Sequence, residues 1–179
     1  MNQPLNPYQP PTAELLHVPV IEQLDLQEQR LANFVGTQYP IYRDKWAAAA
    51  LKRQATSWNW AAFVLGLSWL AYRKMYAYCA IFIAIIGLET LLELVIGLPD
   101  SLSYAMNIGT SVMFGLYGNT LYRHFAQSRI AAIEAAGGPP EQIEAEITRA
   151  GGTHLGAAFG FMLLLCVLLV CLALMFPGD

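Results

Sequence analysis

The chain has 179 residues and a formal net charge of −3, with 56% of its residues hydrophobic and only 13% charged. Ordinary globular chains carry about 25% charged residues, so this composition, with a mean hydropathy of +0.41, points to one membrane domain. It gives no basic footprint for nucleic acid, and Cys79, Cys166 and Cys171 have neither CxxC nor zinc-ligand spacing, so no metal, cofactor or disulfide framework is expected.

Residues 1–20 contain Pro4, Pro7, Pro10, Pro11 and Pro19 and no apolar period, which predicts a disordered arm. Residues 21–57 form a cytoplasmic helical segment. Its first helix carries Ile21, Leu24, Leu31 and Val35 at loosely helical spacing, with Gly36 as a stop. A more polar helix follows over about 39–54.

The stretch 57–76, "SWNWAAFVLGLSWLAYRKMY", is apolar but short. The 13 residues between Asn59 and Arg73 would extend about 20 Å as a helix, against a bilayer core of roughly 30 Å. Basic residues flank both ends: Lys52 and Arg53 precede it, and Arg73 and Lys74 close it. A true crossing would leave one cluster outside, against the positive-inside rule. Residues 58–74 are therefore read as an interfacial or re-entrant aromatic helix, the alternative being a short tilted fourth span. Trp58, Ala62, Leu65, Trp69, Tyr72 and Tyr76 share one face at spacings of three and four. Trp58, Trp60 and Trp69, with Lys52, Arg53, Arg73 and Lys74, are the residues expected at the lipid headgroups.

Three blocks have the length of a membrane span: Met75–Leu98, Leu102–Tyr122 and Leu155–Phe176. The first two form a hairpin over 75–122, residues 123–153 a cytoplasmic helix–turn–helix, and 154–179 the final span. This arrangement puts all ten Lys and Arg residues on the cytoplasmic side and the C-terminus outside. The predicted fold is an all-α membrane protein: three transmembrane helices, one interfacial or re-entrant helix and cytoplasmic helices.

The run "FVG" at Phe34–Gly36, "YPIYRDKW" at Tyr39–Trp46 and the tract Trp58-Asn59-Trp60, Ala62-Phe63, Gly66, Trp69, Tyr72–Tyr76 resemble the bacterial membrane family called domain of unknown function 2628. The resemblance covers about residue 33 to the end of the second block. Leu67-Ser68 depart from the glycine or proline that members commonly carry there. It implies a bacterial inner-membrane protein and no activity.

Glu89 and Glu93 lie four apart on one face of the first span. An acid at mid-membrane costs about 2.5–3.5 kcal/mol on insertion scales, so both are expected to face protein. Depth from the outer turn pairs Glu93 with Asn107 and Glu89 with Thr110 and Ser111. That cluster reads as a hydrogen-bonded clamp between helices or as a site handling protons or cations. Gly109 and Gly115 in the second span, and Gly152, Gly156 and Gly160 at the start of the third, offer small faces for close helix packing.

No Ser-His-Asp order, Walker loop or dinucleotide fingerprint is present. The expectation is a non-catalytic accessory protein of the inner membrane, embedded in the lipid bilayer. Its cytoplasmic surface would meet a protein partner or a second copy. The alternatives are a small oligomeric transporter or channel subunit using Glu89 and Glu93, and a lipid-acting membrane enzyme.

Overall fold

The computed structural model describes residues 14–51, 56–97 and 99–175. Most of the expected proline-rich arm, together with Lys52 and Arg53, lies outside the described residues. All regular structure among the described residues is helical: α1 (Glu14–Val35), a 3₁₀ turn (Gly36–Gln38), α2 (Tyr39–Leu51), α3 (Trp60–Leu65), α4 (Leu67–Tyr72), α5 (Tyr76–Ile96), α6 (Asp100–Ala136), α7 (Pro140–Ala150) and α8 (Leu155–Met175). α1 starts at Glu14 and so takes in residues assigned to the arm. Pro19 stands in its second turn, where it removes one backbone bond without ending the helix.

α6 runs unbroken for 37 residues, about 55 Å, so the expected boundary between Tyr122 and Arg123 falls in mid-helix. One buried stripe crosses that point: Phe114, Gly118, Tyr122, Ala126 and Ile130 recur every four residues. Its inner half receives α1 and α7. Arg30 joins them, donating to Glu134 at 2.7 Å and to Glu144 at 2.9 Å, while Asn33 donates to Glu144 at 3.0 Å. The hydrogen bond from Arg30 holds the Glu144 carboxyl below its ordinary range. Beyond α7, Gly151 passes so close to Phe34 that a Cβ would overlap the Phe34 carbonyl. Gly152, at φ +73°, donates its N–H to that same carbonyl at 2.7 Å.

The outer halves have a different character. α5 has a mean hydropathy of 2.4, and the second apolar run, reaching Val167 within α8, has 1.6; only 6% of each is buried. Leu88, Leu94 and Ile96 on α5, and Leu163 and Leu164 on α8, point outward. These two helices are long and apolar enough to cross a membrane, and neither serves as the core of a soluble globule. The third expected span, at the start of α6, does not qualify by composition, because Ser103, Asn107, Thr110, Ser111 and Asn119 dilute its apolar residues.

The stretch 58–74 is not one helix with one face. Gly66, at φ +48° and ψ −117°, separates α3 from α4, a conformation that glycine adopts without a Cβ penalty. The break rotates one half against the other. Ala62 and Trp69 are buried, but Leu65 and Tyr76 are exposed. Helical periodicity counted through Gly66 therefore groups residues that the fold separates.

Candidate functional site

The broken helix pair is seated by glycines and asparagines. On α6, a Cβ at Gly118 would lie 2.8 Å from the Ala62 methyl, and one at Gly115 would lie 2.9 Å from the Trp58 ring. Only glycine at both positions lets α3 approach this closely. Asn59 caps α3 by accepting from Ala62 N at 3.0 Å. Its backbone N–H donates to Gly115 O at 2.7 Å, and its amide donates to Asn119 Oδ1 at 2.8 Å. Asn119 in turn donates to the Ser57 carbonyl and hydroxyl, and its own carbonyl accepts from Trp46 Nε1 at 3.0 Å. These buried polar groups are spent on one another.

α4 then delivers Arg73 into the joint where α2, α4 and α6 meet. Arg73 is only 2% exposed. Its guanidinium carbon lies 4.7 Å from the centre of the Tyr42 ring, 4.8 Å from Tyr122 and 5.3 Å from Tyr72. Nη2 donates to the Tyr42 hydroxyl at 2.9 Å and to Gln38 Oε1. Nε and Nη1 are buried with no hydrogen-bond partner among the described residues. Among the described residues no carboxylate forms an ion pair with Arg73.

A guanidinium does not shed its proton to escape burial. Taking a cation out of water costs several kcal/mol, and a desolvated cation–π contact returns about 2 kcal/mol. The tyrosine cage thus offsets part of the cost and leaves the charge itself unneutralised.

Arg73 lines a cavity of about 300 Å³. Gln38, Tyr42, Ser68 and Tyr72 stand with it as polar lining, and the apolar remainder includes Leu65, Leu155, Ala158, Phe159 and Met162. Leu65, Leu155 and Phe159 are exposed, so the apolar side opens outward between α4 and α8. An oxyanion attached to an apolar chain has the chemistry this lining complements.

Lys74 follows at φ +59°, a left-handed conformation unusual for a residue with a side chain. Its ammonium caps α7, donating to Arg149 O at 3.0 Å and to Gly151 O at 2.5 Å. Arg73 and Lys74 therefore make internal contacts and do not stand as an exposed pair at the end of the stretch, which corrects the expectation of a shared surface position. Lys74 does border a second, shallower cleft of about 520 Å³ with Arg129 and Arg149.

The other expected residues divide. Trp60 is 68% exposed, whereas Trp69 is core, against Tyr122. Trp58 is half-buried and packs edge-on against Trp60 and at a tilt against Phe63. Glu93 accepts a 2.7 Å hydrogen bond from Ser103 and not from Asn107. Asn107 and Ser111 donate to carbonyls of their own helix, Ser103 O and Asn107 O. Glu89 is half-buried, and no hydrogen bond joins it to Thr110 or Ser111. The pairing by depth fails because α5 and α6 meet through rings: Phe82 against Phe114 at 4.7 Å and Tyr78 against Phe125 at 6.0 Å. Those rings hold the backbones apart, and short polar side chains bridge only near the outer turn.

Of the expected packing glycines, Gly115 admits a close helix. Gly109 and Gly160 have open space around them, Gly156 meets only the His154 ring, and Gly152 serves a turn. Gln38, Tyr42, Gly118, Asn119, Tyr122 and Gly151 were not among the expected site residues. For Gly118 and Asn119 a signal existed: a glycine three residues and a strongly polar amide four residues after Gly115.

The family model described as protein of unknown function (DUF2628) matches residues 22–128. No curated protein and no solved structure matches the chain.

Proposed function

The chain belongs to the DUF2628 family of proteins of unknown function, and we propose that it is a non-catalytic, multi-pass protein of the bacterial inner membrane. In this reading α5, the outer part of α6 and α8 cross the bilayer. The α3–α4 pair enters from the cytoplasmic side and returns to it, and the C-terminus is outside. The cytoplasmic helices α1, α2, α7 and inner α6 present a surface to a protein partner.

One observation carries the reading. The described residues form a packed core at the inner ends of the helices, while the outer halves expose Leu91, Leu94, Tyr104, Ile108, Val167 and Val170. Side chains of that kind, turned outward on three helices at one end, are stabilised by lipid. Positive charge supports the orientation, since Arg73, Lys74, Arg123, Arg129 and Arg149 all lie at or beyond the inner ends. A non-catalytic role is supported by Asn59 and Asn119, whose polar groups are engaged in holding helices together. The Glu93–Ser103 bond likewise supports the clamp over the transport site.

Single cysteines at Ser101 and Glu141, in a background lacking Cys79, Cys166 and Cys171, test the topology. In sealed cells an impermeant thiol reagent should label the position at Ser101 and spare the one at Glu141 until the membrane is opened. The reverse pattern overturns the orientation, and equal labelling overturns the spans. A photo-crosslinker at Ile41, which is 58% exposed on α2, should give a discrete adduct in cells. The absence of any adduct there and across α1 and α7 overturns the partner surface.

A further inference from the structure

We propose that the cavity between α4 and α8 binds one anionic acyl lipid, its oxyanion neutralising Arg73 and its chain running out along α8. The inference goes beyond membrane residence and rests on that reading for the source of the ligand.

Three observations on independent features converge. Arg73 is a buried, permanently charged group that, among the described residues, has no carboxylate partner and has two nitrogens, Nε and Nη1, without a hydrogen-bond partner. The acceptors it does have, Tyr42 Oη and Gln38 Oε1, are neutral. The cavity it lines, about 300 Å³, is polar at the Arg73 end, with Gln38, Tyr42, Ser68 and Tyr72, and apolar toward α8, and it stands at the small end of ligand pockets. That space suits a headgroup and the first part of a chain. Its outer rim, Leu65, Leu155 and Phe159, is exposed, so the rest of the chain would lie in the hydrocarbon between α4 and α8. Gln38 is half-buried in the 3₁₀ turn before α2, and its side chain can swing aside to release Nη2 to an oxyanion.

A bare anion would leave the apolar lining uncovered, and a neutral lipid would leave the charge unmatched. The complementary ligand carries both parts. A phospholipid with an exposed phosphate and a free fatty acid share this chemistry, and the two are separable by experiment.

The full-length protein, stripped of lipid in a nonionic detergent, is titrated with dioleoyl phosphatidic acid, oleate, dioleoyl phosphatidylcholine and inorganic phosphate. Native mass spectrometry counts bound molecules, and tryptophan fluorescence follows Trp69, which lines the cavity. One phosphatidic acid or one oleate should bind, phosphatidylcholine at least tenfold more weakly, and phosphate without effect. Selectivity between the first two names the source. Arg73→Gln should weaken binding about tenfold or more, the scale of a hydrogen bond to a charged group. Equal binding of phosphatidylcholine, binding of phosphate as tight as that of phosphatidic acid, or unchanged affinity in a folded Arg73→Gln protein overturns the proposal.

If Arg73→Gln does not fold, Ala158→Phe decides. It fills the apolar part of the cavity and leaves Arg73 in place, so it should abolish lipid binding; full retention overturns the site. Cysteine labelling at Ser101 and Glu141 is read separately. A protein that labels as expected but binds no anionic lipid loses the site and keeps the topology.

Discussion

Two glycines nine positions apart on α6 should respond oppositely to the same substitution. Gly109 has open space around it, so Gly109→Ala adds only helix propensity, worth up to about 1 kcal/mol. At Gly118 the new Cβ would lie 2.8 Å from the Ala62 methyl, whereas carbon atoms pack at about 3.5–4.0 Å. A methyl fixed to the backbone cannot turn away, so α3 must withdraw by about 1 Å. That movement stretches Asn59 N to Gly115 O, now 2.7 Å, and Asn59 Nδ2 to Asn119 Oδ1, now 2.8 Å, beyond hydrogen-bonding range. Each buried group left unpaired costs about 1–3 kcal/mol, and overpacking alone costs a similar amount. After the propensity gain, Gly118→Ala should be less stable than the parent by at least about 2 kcal/mol. For a chain of this size that is a fall in Tm of about 4–8 °C. Thermal unfolding in one detergent, followed by the fluorescence of Trp58 and Trp69 beside the contact, measures both variants. If Gly118→Ala melts with or above Gly109→Ala, the close α3–α6 contact is wrong.

Two further outcomes follow from the ion pair at Arg30 and the acid at Glu93. Glu144 has a lowered pKa in the fold, caused first by the Arg30 hydrogen bond, so its contribution to stability is present above the ordinary value of 4.5 and is lost as pH falls through the lowered one. Arg30→Gln should flatten that acid limb in pH-dependent melts, and an unchanged limb would remove the pair's role in docking α7 on α1. Glu93→Gln keeps an acceptor for Ser103 and should leave the melting temperature within about 2 °C of the parent, since interhelical hydrogen bonds in membranes average about 0.6 kcal/mol. A folded Glu89→Gln/Glu93→Gln protein that loses a proton-coupled flux in proteoliposomes would replace the clamp with a transport site.

The helices were legible wherever one local signal dominated. α5 and α8 announce themselves by continuous apolar residues, and Pro139-Pro140 with Gly151-Gly152 bracket α7. Gly66 was not read as a break, because a lone glycine inside a periodic run is compatible with a continuous helix. Its positive φ follows from tertiary demands: α3 must meet α6 while α4 meets α8. The polar residues were harder still. Glu89 and Glu93 stand out because carboxylates are rare in spans, yet the guanidinium of Arg73 has the more demanding environment. Its neighbours Gln38 and Tyr42, around the start of α2, and Tyr122, on α6, are distant from it in sequence, and only the folded joint brings them together. Read locally, an arginine beside a lysine at the end of an apolar stretch means a membrane border.

The tract that carries the family resemblance can now be read residue by residue as the wall of that joint. Asn59 caps α3 and ties it to Asn119, Gly66 turns the chain, and Trp69 packs on Tyr122. Arg73 enters the tyrosine cage, Lys74 fastens α7, and Tyr76 reaches to within 3.1 Å of His154 Nδ1 at the start of α8. The run "YRKM" at Tyr72–Met75 thus touches α2, α6, α7 and the approach to α8 within a few residues: Arg73 to Tyr42 and Tyr122, Lys74 to Gly151, and the Tyr72 carbonyl to His154 N at 2.8 Å. A change in what occupies the Arg73 cavity would therefore act on the contact between α4 and α8 and on α2 through Tyr42. That geometry links the end of the molecule with exposed apolar helices to the surface formed by α1, α2 and α7.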